Sequence, residues 1–231
     1  MQDPQSFDPF AAEYDRFAAL EPPRLLDWVL AQLPAPGRRA LDAGCGAGRH
    51  TVALAERFDE VLAIDISESL ICIARERRPS ENVRYLVGDL MKFADPDGFD
   101  LVFSSTTLHH LTDLNAALLH LRSLVATGGR AILIDNVARR PSEKVLPDWT
   151  PARWVHVGGA MRELPGDVVR LGWAQARWIL KFRTSAPWLA HLASDRYLSR
   201  QGFERTYGAV FRDAQFTDLG FARGVVWSSA A

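Results

Sequence analysis

Residues 41–55 read LDAGCGAGRHTVALA, and the fold turns on them. An apolar run stops at Asp42, glycines recur at 44, 46 and 48, and a helical pattern opens at His50. Glycine lets the backbone turn sharply and approach a ligand closely, while the first turn of a helix leaves N–H groups unpaired. About twenty residues on, VLAID (61–65) ends a second apolar run at Asp65, where a carboxylate can accept both hydroxyls of a ribose.

Outward from that loop the pattern repeats. RALDA (39–43), VLAID (61–65), VRYLV (83–87), DLVFSS (100–105) and RAILID (130–135) are near-continuous apolar runs, as expected of strands covered on both faces. Between them HTVALAERF (50–58), SESLICIARERR (67–78) and LTDLNAALLHLRSLVA (111–126) carry helical spacing. Ser67 and Thr112 are placed to cap the last two, and Gly128-Gly129 to stop the 111–126 helix. Alternating strands and helices predict a parallel, doubly wound α/β sheet. After Asp135 the rhythm stops. Residues 137–183 hold nine Arg or Lys against four Asp or Glu, and five of seven tryptophans lie in 149–188. There PGDVVRLGWAQARWILKFR (165–183) reads as one amphipathic helix. AQFTDLGF (214–221) and ARGVVWSS (222–229) read as two final strands, which a tight turn can join only antiparallel. The expectation is a Rossmann-like seven-stranded doubly wound sheet with an antiparallel last strand and a helical cap insertion. Residues 1–136 and 201–231 form its core, with lid helices in 1–35, and 137–200 form the cap.

Composition bounds the function. The 231 residues carry 27 basic and 28 acidic groups, a net charge of −1, so no overall basic footprint suggests nucleic acid. Two cysteines, Cys45 and Cys72, are too few for a disulfide framework or a four-cysteine metal site. No apolar run is long enough to span a membrane, and the acidic, proline-broken N-terminus is unlike a signal peptide. The chain reads as cytoplasmic, with no membrane anchor.

Two nucleotide readings compete for the glycine loop. A dinucleotide fingerprint from Gly44 needs glycine at 49, where Arg49 stands, which weakens an NAD(P)-dependent oxidoreductase. The pattern present is G-x-G-x-G with an acidic residue two positions ahead. With the later motifs it resembles the class I S-adenosylmethionine (SAM)-dependent methyltransferases, from about Tyr14 to Trp227. The resemblance implies that Gly44, Gly46 and Gly48 lie under the methionine and ribose parts of SAM, with Asp42 toward its ammonium group. It implies that Asp65 holds the ribose hydroxyls, with Ile66 against the adenine. GDLMKF (88–93) is similar to a third motif, giving Asp89 to the adenine amino group and Leu90 to its ring. FDLVFSSTTLHHL (99–111) is similar to a fourth, with the Ser104 backbone near the ammonium. AAEYDRF (11–17) resembles the lid helix of many members, so Tyr14 covers the cofactor.

Methyl transfer from a sulfonium is an in-line displacement that needs orientation and dryness more than a base. His109 and His110, just past the fourth strand, are the candidates for base or positioning group. His156 and His191 are looser ones. Asp135-Asn136 is similar to the Asp-Asn pair of metal-dependent catechol-type relatives. Those also place a carboxylate after the fourth strand, where this chain has Ser104 and Ser105, so no metal is expected. Trp149, Trp154 and His156 are expected to wall the acceptor, and the cap's excess of positive charge to favour one bearing a carboxylate or phosphate. The implied activity is metal-independent methylation of an O, N or C atom of a small aromatic, isoprenoid or specialised-metabolite acceptor, by a monomer or homodimer. A non-catalytic SAM-binding partner subunit is the alternative.

Overall fold

Period-two alternation in the strands builds a sheet with two dry faces. In the computed structural model, which describes residues 7–20, 24–138, 152–192, 195 and 197–230, the strands are β1 Gly37–Ala43, β2 Phe58–Asp65, β3 Val83–Val87, β4 Phe99–Ser105, β5 Val125–Asn136, β6 Gln215–Asp218 and β7 Ala222–Ser228. Leu41, Leu62, Ile64, Val102 and Leu133 point to one face. Ala40, Val61, Leu101, Phe103, Ile132 and Ile134 point to the other. Each face must therefore be covered by helices.

The helices are α1 Ala11–Leu20, α2 Arg24–Gln32, α3 Thr51–Ala55, α4 Glu68–Arg77, α5 Leu114–Ser123, α6 Ala152–Leu171, α7 Trp173–Arg183, α8 Ala186–Leu192 and α9 Arg200–Val210. Leu118 and Leu121 of α5 join Phe203 and Tyr207 of α9 on the first face, while Val29 of α2 and Leu54 of α3 cover the second. The strand order is β3-β2-β1-β4-β5-β7-β6, with β7 antiparallel to both neighbours. The expected α/β sheet with its antiparallel last strand is the observed one. Strand order reverses between β1 and β4, and open sheets bind ligands at the carboxyl ends of strands beside such a switch point.

Local departures have local causes. Ser67 caps α4 as expected, accepting from Leu70 N at 3.2 Å. Asp113, not Thr112, caps α5, since its carboxylate accepts from Ala116 N at 2.9 Å, so the helix starts one residue later than expected. Gly128-Gly129 does not stop that helix. The pair lies inside β5, where the register against β4 shifts between Phe99 and Leu101. Gly128 has φ +75, and a Cβ on Gly129 would stand 2.9 Å from two carbonyl oxygens, so the glycines serve a bulge. The stretch 165–183 is two helices, broken at Gly172 with φ +78. The amphipathic α9 carried no expectation; Ser199 caps it by accepting from Gly202 N at 3.1 Å.

Candidate functional site

The carboxyl ends of β1, β2 and β4 bring the glycine loop, Asp65 and the turn 106–110 together. Gly44 has φ +77, and a Cβ there would stand 2.2 Å from Thr107 Cγ2, so only glycine lets the loop seat on that turn. At Gly48, φ +79, an added Cβ would stand 2.6 Å from the Tyr85 hydroxyl. Gly46, φ +52, differs: a Cβ on it meets nothing nearer than Leu70 Cδ1 at 3.9 Å. The loop is thus packed at both ends and open in the middle.

Asp65 closes that opening from the β2 side. Its Oδ2 accepts from Gly46 N at 2.7 Å and its Oδ1 from Ser67 N at 2.9 Å. Burial raises its pKa, opposed by those N–H groups and by the nearby His110 imidazole. Asp42, 2% exposed, accepts from the Thr51 hydroxyl at 2.6 Å. Burial pushes it up to about 7, against the Thr51 hydrogen bond, and the Asp65 carboxylate adds to the rise. A buried carboxylate so disfavoured in its charged form suits a cationic neighbour. Ser104 donates to Ala43 O at 2.7 Å and ties β4 to β1 beneath the loop. Cys45 is driven far up by burial and donates weakly to Gly46 O, a packed thiol.

Just past β2, Ile66 is 40% exposed, an apolar side chain standing in the open. Asp89 caps the short turn Leu90–Lys92 through Met91 N at 3.0 Å, and Leu90 turns its side chain into the core. Over the loop lies α1. Phe7, Ala11 and Tyr14 cluster with Ala47 and Leu70. Asp8 accepts from Ser67 Oγ, and Asp15 holds Arg77 of α4 and Arg78 just beyond it at 2.8 Å each.

Beyond the loop is a polar cluster. His109 Nδ1 bonds Asp135 Oδ1, and Tyr207 donates to Asp135 Oδ2 at 3.1 Å. Burial lowers the His109 pKa, but the Asp135 carboxylate outweighs it and the net shift is upward. His110 Nδ1 lies 3.2 Å from Asp195 Oδ1, and the Tyr197 hydroxyl donates to Asp195 Oδ2. Burial brings His191 down to about 4. Phe7 and Trp188 pack on His191 at ring-centroid distances of 4.2 and 5.4 Å. Sequence reasoning missed Asp195 and Tyr197. They lie in no motif, and only the return of the chain from α8, with Ala138 N donating to Leu198 O at 2.8 Å, sets them beside the end of β5.

The cap expectations fare unevenly. Trp149 lies outside the described residues. Trp154 is 58% exposed, so it does not wall a closed site; Trp188 stands nearest the cluster. His156 is half-buried, its pKa lowered by burial against the field of Asp195. Arg183 pairs with Glu163 and Asp167, and Arg170 with Asp167, so these charges are spent within the cap. A cavity of about 700 Å³ lined by Arg122, Arg130, Arg212 and Trp227 opens at the opposite edge of the sheet and touches none of these groups.

A family model described as a methyltransferase domain matches residues 40–129. An uncharacterized methyltransferase of Mycobacterium bovis is 34% identical over 133 residues, 57% of this chain and 66% of that protein. The malonyl-[acyl-carrier protein] O-methyltransferase of Serratia marcescens is 33% identical over 148 residues, 62% of this chain and 56% of that one. The chain thus spans just under two thirds of the first relative and little more than half of the second. Among solved structures, the DhpI–SAH complex aligns over 99% of this chain and 97% of its own, with a TM-score of 0.62 at 19% identity. By its glycine loop, its strand order and these likenesses, the chain carries a methyltransferase domain over residues 40–129 and has the fold of the class I SAM-dependent methyltransferases.

Proposed function

We propose that the chain moves the methyl group of SAM to an O, N or C atom of a small acceptor held beneath α1, α7 and α8. The observation that carries this reading is the open middle of the glycine loop. Gly46 leaves a cradle that a Cβ would fill, bordered by the Asp65 carboxylate at the switch point. The residues fit the cofactor. Gly44, Gly46 and Gly48 offer a backbone surface under its methionine and ribose, and Asp42 offers negative charge to its ammonium. Asp65 would hold the ribose hydroxyls. Ile66, Asp89 and Leu90 border the adenine position, with the Ser104 backbone beside the methionine end and Tyr14 above.

Bound SAM supplies an electrophilic methyl on a sulfonium. The protein orients the acceptor and excludes water, and orientation alone can supply roughly 7–11 kcal/mol. His109, fixed by Asp135, and His110, beside Asp195, are assigned to positioning the nucleophile. Phe7, Phe10 and Trp188 give the acceptor side an aromatic border that favours an apolar or aromatic body. Arg170 and Arg183, paired with Asp167 and Glu163, are not the groups that would meet a carboxylate or phosphate on the acceptor. The test is a transfer screen with methyl-labelled SAM over a metabolite library. Acceptor-dependent labelling is expected. SAM binding with no transfer to any small molecule would favour the non-catalytic, SAM-binding subunit.

A further inference from the structure

His109, His110 and Asp195 each offer a donor atom, and these atoms lie within 4.8 Å of one another. We propose that they form a binding site for a divalent transition-metal ion of the zinc type. Two imidazoles and a carboxylate are the donor set of such ions rather than of magnesium or calcium.

The aim of the groups is the first argument. His110 Nδ1 is 3.2 Å from Asp195 Oδ1, yet among the described residues that oxygen accepts no hydrogen bond. The two atoms form a close ion pair at that distance. Two donors at 2.0–2.1 Å from a tetrahedral ion stand roughly 3.3 Å apart. Burial is the second argument. The Asp195 side chain is 2% exposed, and a carboxylate buried there, with His110 and His191 facing its Oδ1, is costly unless positive charge meets it.

The outer partners are the third. Asp135 takes Nδ1 of His109, which makes Nε2 the donor, and Tyr207 in turn holds Asp135. Tyr197 holds the other oxygen of Asp195. Carboxylate and hydroxyl partners of this kind fix ligands in metal sites. His191 Nε2, 3.9 Å from Asp195 Oδ1, stands near as a further nitrogen. The donors come from the β4–α5 turn and from the segment after α8, so folding of the cap return assembles the site. His110 is near enough for its charge to act on Asp65, so the ion would stand beside the proposed cofactor cradle. An open coordination position would there seat an oxygen or nitrogen of the acceptor. That role rests on the methyltransferase reading; the binding does not.

The test uses the full, tag-free chain stripped with chelator and titrated with Co²⁺ and then Zn²⁺, with SAM binding measured on the same samples. One Co²⁺ per chain is expected, with a tetrahedral visible spectrum and displacement by Zn²⁺. Asp195→Ala and His110→Ala should weaken uptake at least 100-fold, and Asp135→Asn about 10- to 100-fold. Cys72→Ser should leave uptake unchanged. SAM binding retained by the variants shows that they are folded. Substoichiometric uptake, or uptake that Asp195→Ala and His110→Ala leave intact, overturns the site. Loss of SAM binding by the wild type with metal uptake intact would overturn the proposed function and leave the site standing.

Discussion

Two glycines of one loop separate structure from ligand binding. At Gly44 a methyl group would run into Thr107 at 2.2 Å, so Gly44→Ala should dislodge the loop and lower the melting temperature sharply. At Gly46 the same substitution meets open space at φ +52 and should cost only about 1–2 kcal/mol for the left-handed backbone. Gly46→Ala should therefore fold yet lose SAM affinity by more than tenfold, because its methyl occupies the cradle. Melting curves and calorimetry on the two variants check this; equal behaviour in both would contradict it. Asp42 makes a second case. Its pKa is raised from 3.8 to about 7, so the folded state disfavours the ionised form. Below 3.8 both states are protonated and nothing is lost; the penalty grows between 3.8 and about 7 and stays constant above. Asp42→Asn should thus raise the melting temperature of the cofactor-free protein clearly at about pH 8 and little at about pH 4. An equal effect at both values would contradict the burial argument. The sequence shows that Asp42 and Asp65 end strands. It does not show that Asp65 also braces Gly46 N and Ser67 N, since that pairing depends on how two loops meet.

Elements were legible where their pattern was long. The five parallel strands and α4 stand where apolar runs and the Ser67 cap put them. The α5 cap was misread by one residue, because Thr112 and Asp113 are both good caps and only the turn geometry chooses between them. Gly128-Gly129 was misread because a bulge and a helix stop both call for glycine. The lid is an element whose attachment can be tested. Asp15 is 3% exposed and joins α1 to Arg77 and Arg78 at the end of α4. Asp15→Ala should cost about 2 kcal/mol, less than the 3–5 of a fully buried pair because Arg77 is half exposed. Hydrogen exchange should quicken in α1 and leave β1 and β4 protected. Uniform quickening would mean that the pair supports the whole fold and not the lid.

At the scale of the molecule, a parallel sheet wound on both faces follows from the βα rhythm and the handedness of crossovers, while its strand order is seen only in the structure. Nor does the acceptor side follow from that rhythm. Asp195 and Tyr197 reach the end of β5 through a bridge between Val137 and Leu198, a contact that no local periodicity encodes. The cap's tryptophans and arginines look alike in sequence, and only packing tells exposed Trp154 from Trp188, and paired Arg183 from a ligand group. The central claim is that the glycine loop and Asp65 form one SAM site. Titration calorimetry of the wild type and Asp65→Ala against SAM and NADH tests it most directly. The wild type should bind one SAM per chain in the micromolar range and no NADH. Asp65→Ala should lose about 1.5–3 kcal/mol of SAM affinity, the cost of hydrogen bonds to a charged group. Tight NADH binding without SAM binding, or an Asp65→Ala variant that binds SAM like the wild type, would contradict it.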